Sequence, residues 1–161
     1  MRPFLVLLSA LLLASCGFAP RGALVMPDGL GPVRVTGSDP YSPLVTGVSR
    51  ALQRQGVALA DGDRAGTAVL TLGNESFRQG PLMAENFSSI QEYVTTYTAT
   101  VQLRDARGNE VIPLQTVTLE REYVYDTRSP IGTPAEQELI QEELRRDMVA
   151  AILRRVDAAL R

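Results

Sequence analysis

Tyr93-Val94-Thr95-Thr96-Tyr97-Thr98-Ala99-Thr100-Val101-Gln102-Leu103-Arg104 is the stretch that decides the fold. Tyr93, Thr95, Tyr97, Ala99, Val101 and Leu103 alternate with Glu92, Thr96, Thr98, Thr100, Gln102 and Arg104. A period of two, filled with β-branched and aromatic residues, describes a strand with one dry face and one wet face. Asp105-Ala106-Arg107-Gly108-Asn109 follows as a hairpin turn, with a glycine available for positive φ. The returning strand changes phase. Ile112 and Leu114 fall on one face, whereas Val117, Leu119, Tyr123 and Tyr125 fall on the other. Side chains of a strand alternate strictly, so Pro113 marks a bulge or a bend in a long antiparallel hairpin.

The segments on either side are helical. Downstream, Thr133-Pro134-Ala135-Glu136 reads as a capping box with proline at the first helical position. Ile140, Leu144, Met148, Ile152 and Val156 then recur every four residues, reinforced by Leu139, Val149 and Leu160. Glu136, Glu138, Glu142 and Glu143 load the first half, and Arg154, Arg155 and Arg161 load the end, each sign suited to its end of the helix dipole. Upstream, Val33 and Val35 alternate with Arg34 and Thr36 in a short strand closed by Gly37. Ser42 and Pro43 open a helix over 43–55, with Leu44, Val48, Ala51 and Leu52 on its apolar face and Gly56 as its C-terminal cap. Val57 and Leu59 suggest a short strand, and Ala68 to Leu72 a stronger one running on towards Arg78. A helix between two strands makes those strands parallel. Gln79 to Ile90 has no period; it reads as a loop folded on its own core or as a partner-binding surface.

The order is β-α-β-β-β-α. Each helix has one apolar face, so both are expected on the same face of a mixed sheet of about four strands. This is an α+β two-layer sandwich. The other sheet face carries Thr and charged residues, and is either exposed or met by a polar partner.

The N-terminus has a different character. Arg2 gives a positive start, Phe4 to Leu13 is almost wholly apolar, and Leu13-Ala14-Ser15-Cys16 ends in the only cysteine of the 161 residues. This is the layout of a secretory signal. The run is too short to span a bilayer, which takes about 20 apolar residues. Its ending resembles the lipobox of bacterial lipoproteins. That resemblance implies cleavage after residue 15, acylation of Cys16, and, with Gly17 rather than Asp next, the outer membrane. Residues 1–15 are thus expected as a cleaved signal, 16–32 as a lipidated, Gly- and Pro-containing tether, and 33–161 as one domain.

Composition narrows the chemistry. All 16 basic residues are Arg, there is no His, and the net charge is −2. Losing the leader, which holds one of those arginines, makes it −3. The absence of His removes the usual general base and most zinc sites. A slightly acidic chain lacks the electrostatic footprint of a nucleic-acid binder. No phosphate loop, nucleotide fingerprint or activated nucleophile is present, so no enzyme, no metal and no cofactor are expected beyond the lipid on Cys16. Arg121, Tyr123 and Tyr125 share one face of a strand, with Arg128 close behind, and mix aromatic surface with guanidinium. Packing under the last helix is one reading of the tyrosines; contact with a phosphorylated lipid or a partner is the other.

Cys16-Gly17-Phe18 with Pro20-Arg21-Gly22, the run Arg121-Glu122-Tyr123-Val124-Tyr125-Asp126, and the helix from Glu138-Leu139 to Arg154-Arg155-Val156 together resemble the LPS-assembly lipoprotein family LptE. The resemblance covers nearly the whole chain through short, loose motifs. It implies a non-catalytic lipoprotein held on the periplasmic side of the Gram-negative outer membrane. Its expected partners are the LptD β-barrel, whose lumen it would plug and whose assembly it would support, and lipopolysaccharide on its way to the surface. A different small outer-membrane lipoprotein, an accessory subunit of another transport complex, is the alternative.

Overall fold

The computed structural model describes residues 27, 30–62, 64–81, 90–126 and 133–161. Six elements follow in order: β1 (Val33–Gly37), α1 (Pro43–Arg54), β2 (Ala68–Pro81), β3 (Ile90–Arg104), β4 (Glu110–Asp126) and α2 (Thr133–Leu160). The strands form one sheet in the order β1-β2-β3-β4. β1 and β2 run parallel from Val33↔Ala68 to Gly37↔Leu72, joined through α1. The other pairings are antiparallel, and the β3–β4 hairpin extends from Ile90↔Asp126 to Arg104↔Glu110. Both helices pack on one face, α1 over β1 and α2 over β3 and β4, and they touch each other. The expected two-layer α+β sandwich is the one observed.

Local chemistry sets the boundaries. Ser42 Oγ accepts the Val45 N–H at 3.1 Å, with Pro43 as the first helical residue. α1 ends where Gly56 takes a φ of 83°, which lets the Val57 N–H turn back to the Leu52 carbonyl at 3.1 Å. The expected strand at Val57–Leu59 is reduced to a single parallel bridge, Val33↔Leu59. That bridge still matters: the Val33 N–H and carbonyl bond to Ala58 and Ala60 at 2.9 and 3.0 Å, which covers the edge of β1 there. In the hairpin turn, Gly108 has a φ of 86°, and Asp105 Oδ1 accepts the N–H groups of Arg107 and Asn109, both at 2.8 Å. The side chain of Asn109 also holds the Asp105 carboxyl below its usual value.

The core lies between the layers. Leu70, Tyr97, Val101 and Leu103 from the sheet meet Leu44, Val48 and Leu52 of α1 and Leu144, Met148 and Ile152 of α2, all of them buried. Leu30, ahead of β1, is buried in the same cluster. Leu139 was expected on the apolar face of α2 but is 54% exposed, because the four-residue spacing of Ile140 to Val156 already defines the contact stripe and Leu139 lies beside it.

Three register shifts interrupt the sheet; one lies between Leu103 and Arg104 beside the hairpin turn, and the other two aim the strands. Val101 pairs with Gln115 and Leu103 with Ile112, so β4 carries one extra residue at Pro113-Leu114. That insertion returns Ile112 to the core and leaves Leu114 64% exposed, so the two residues expected on one face point to opposite sides of the sheet. The second bulge, in β2, is marked in the sequence only by the odd spacing of Phe77 from Leu70 and Leu72. Pairing jumps from Gly73↔Thr100 to Ser76↔Thr98, with Asn74 at a φ of 47°. The insertion flips the parity of β2. Leu70 and Leu72 face the helices before it, and Phe77 faces them after it.

Candidate functional site

Tyr97 occupies the centre of the helix-facing side of the sheet and is fully buried. Its ring stacks on Phe77 with centroids 3.9 Å apart, and the Arg145 guanidinium of α2 lies 5.0 Å from the Phe77 centroid. The phenol donates to Glu75 Oε1 at 2.7 Å. Burial first, and the Glu75 carboxylate second, push its pKa well above the usual 10.0, so the group stays protonated. Arg145 Nε is buried without a hydrogen-bond partner, and the face of Phe77 offsets part of that cost. Tyr97 thus holds structure and offers no proton near neutral pH.

Further along the same face, Tyr93 and Tyr123 stack at 5.8 Å. Tyr123 is half-buried against the core, so it packs beneath α2. Arg121, one position back on that face, reaches α2: its Nη2 lies 3.0 Å from Asp147 Oδ2 and 4.0 Å from Glu143 Oε2. The pair is open to water, with Arg121 44% exposed, and contributes no more than about 1 kcal/mol. The sequence reading placed Arg121 beside Tyr123, and the fold brings them together; the Asp147 and Glu143 partners lie too far along the chain to be read from spacing. The Tyr125 backbone pairs with Gln91, while its side chain, Arg128 and Cys16 lie outside the described residues. No group of three metal-ligating side chains occurs among the described residues.

The opposite face of the sheet is a grid of hydroxyls. The register aligns Gly73, Thr100 and Thr116 in one row, Ser76, Thr98 and Thr118 in the next, and Arg78, Thr96 and Glu120 in a third. Ser76 Oγ and Thr98 Oγ1 are 3.0 Å apart, and Thr96 Oγ1 donates to Glu120 at 3.4 Å. The first two of these rows carry no charge. Individual threonines are visible in the sequence, but their alignment depends on the β2 bulge, which only the spacing of Phe77 marks.

A family model described as LptE, lipopolysaccharide-assembly, matches residues 30–156. The chain belongs to the LptE family. Among its relatives, the LPS-assembly lipoprotein LptE of Photorhabdus laumondii is 27% identical over 149 residues, covering 92% of this chain and 81% of the relative. The LptE of Pectobacterium atrosepticum is 26% identical, covering 92% and 80%. Among solved structures, a lipoprotein B of Nitrosomonas europaea superposes with a TM-score of 0.71 at 20% identity, covering 88% of this chain and 91% of that one. The rare lipoprotein B of Shewanella oneidensis gives 0.68 at 23% identity, covering 80% and 95%. At those identities the two structures bear on the LptE fold alone. Among the described residues no helix is long and apolar enough to cross a membrane.

Proposed function

We propose that this chain is an outer-membrane lipoprotein, acylated at Cys16, that binds within and plugs an LptD-type β-barrel. It supports that barrel's assembly and assists the insertion of lipopolysaccharide into the outer leaflet. The LptE match over residues 30–156 carries the reading. Surface chemistry supports it. The lumen of a large transmembrane barrel is polar, and the sheet face turned away from the helices offers two adjacent rows of Ser and Thr hydroxyls beside a row that carries Arg78 and Glu120. The upper end of β4, with Arg121, Tyr123, Tyr125 and nearby Arg128, is the candidate contact for lipopolysaccharide or the barrel. Contact with a phosphate there would exchange the Asp147 partner of Arg121 for a stronger bidentate one.

Extraction in mild detergent tests the proposal. The expected product is a one-to-one complex with a large barrel protein, and depletion of the chain should lower surface lipopolysaccharide. Recovery of the monomer alone, with normal surface lipopolysaccharide after depletion, overturns it.

A further inference from the structure

The helices lie side by side on the sheet, and an open cleft of about 740 Å³ runs between their outward faces. Its floor is small and apolar, built from Gly47 and Ala51 of α1 with Val149, Ala150 and Leu153 of α2. Its rim is cationic. Arg50 and Arg54 stand one helical turn apart on α1, with Arg145 and Arg146 across from them. Helix α1 contains no acidic residue, and no described residue forms an ion pair with Arg50 or Arg54. Among the described residues Glu142 is the one carboxylate lining the cleft, and it is already shared between Arg145 at 3.9 Å and Arg146 at 3.7 Å. At the mouth stands Tyr41, 89% exposed.

We propose that this cleft is a docking site for an acidic amphipathic helical segment of a partner protein. Charge complementarity is the first argument. A chain of net charge −2 gathers four of its 16 arginines around one cleft and leaves two of them without counter-charges among the described residues. Spacing is the second. Carboxylates at i and i+4 of a helix lie on one face about 5–6 Å apart, matching the Arg50–Arg54 interval. The third is composition: exposed tyrosine and arginine around a small-residue floor are the side chains that dominate binding energy in helix-in-groove interfaces. A lipid fits less well, because a cleft open along its length leaves acyl chains in water.

The test uses a fluorescein-labelled helical peptide with leucine along one face and glutamate along both flanks. Fluorescence anisotropy with the folded protein should show saturable binding that weakens as salt rises. Reversing two rim charges in Arg50→Glu/Arg54→Glu should weaken it about tenfold or more. Arg154→Glu, an exposed change on α2 away from the cleft, should leave it unaltered. Circular dichroism melts of both variants check that the fold survives; the altered side chains are exposed. Three results overturn the proposal: no binding by the parent protein, equal binding by the double variant, or equal binding of the same peptide with glutamine for glutamate. Phosphatidylglycerol vesicles form the last arm. If Arg50→Glu/Arg54→Glu abolishes their binding while peptide binding persists, the cleft is a lipid site and the proposal falls.

Discussion

Tyr97 carries more of the structure than any other polar side chain described. It fills the core with its ring, stacks on Phe77, and keeps its one polar atom satisfied by Glu75 at 2.7 Å. Tyr97→Phe removes the hydroxyl without opening a large cavity and leaves Glu75 free to meet water, so urea denaturation should show a loss of about 1 kcal/mol at neutral pH. The alkaline limb distinguishes this hydroxyl from ordinary packing. A phenol whose pKa is raised by folding holds its proton in the native state after the unfolded chain has begun to lose it. Its contribution is therefore complete below the ordinary value of 10.0 and declines as pH rises beyond it. Between pH 9 and about 11 the parent protein should lose stability more steeply than Tyr97→Phe; parallel slopes would mean the hydroxyl titrates as an exposed one.

At the scale of elements, the packing of α1 on α2 turns on Gly47. A Cβ placed there would stand 2.9 Å from Val149 Cγ2, closer than side chains tolerate. Alanine ordinarily gains about 1 kcal/mol over glycine within a helix. Here the valine opposite is β-branched, with one strongly preferred rotamer in a helix, and cannot easily turn away. Gly47→Ala should therefore destabilise by about 1 kcal/mol instead. Adding Val149→Ala should recover part of that loss beyond the sum of the single effects, measured as a double-mutant cycle in urea. The same scale shows what the sequence discloses. The bulge at Pro113-Leu114 is legible because the apolar residues of β4 change faces across it. The bulge of β2 is faint because only Gly73, Asn74, Glu75 and Ser76 stand between Leu72 and Phe77, so a single residue, Phe77, registers the change of face. Helix limits were legible to within a residue for α1, where Ser42, Pro43 and Gly56 mark them by their own chemistry. The cleft was not legible at all. Arg50 and Arg146 are far apart in the chain, and only the packing angle of two helices brings them face to face.

For the whole molecule, the question is where an anchor at Cys16 would hold this domain. Cys16→Ser should yield an uncleaved or soluble, mislocalised form, followed by fractionation of membranes and by the mass of the mature N-terminus. Undiminished membrane retention would refute lipidation. The chain enters the sandwich at Leu30 and Val33, and the Asp105–Asn109 turn and the end of α2 lie at that same end, where Leu30, Asp105, Arg107 and Leu160 line one shallow pocket. The strands run away from it to Pro81, Ile90 and Asp126 at the other end. β3 has 15 residues, so at about 3.3 Å each the sheet measures some 50 Å from end to end. A bilayer's hydrocarbon core is about 30 Å thick. A body tethered at one end and standing upright would thus overreach the thickness of the membrane it is fastened to. With that end at the near leaflet, Arg121 and Tyr123, paired with Thr95 and Tyr93, would stand about 30 Å or more along the strands, level with the far leaflet.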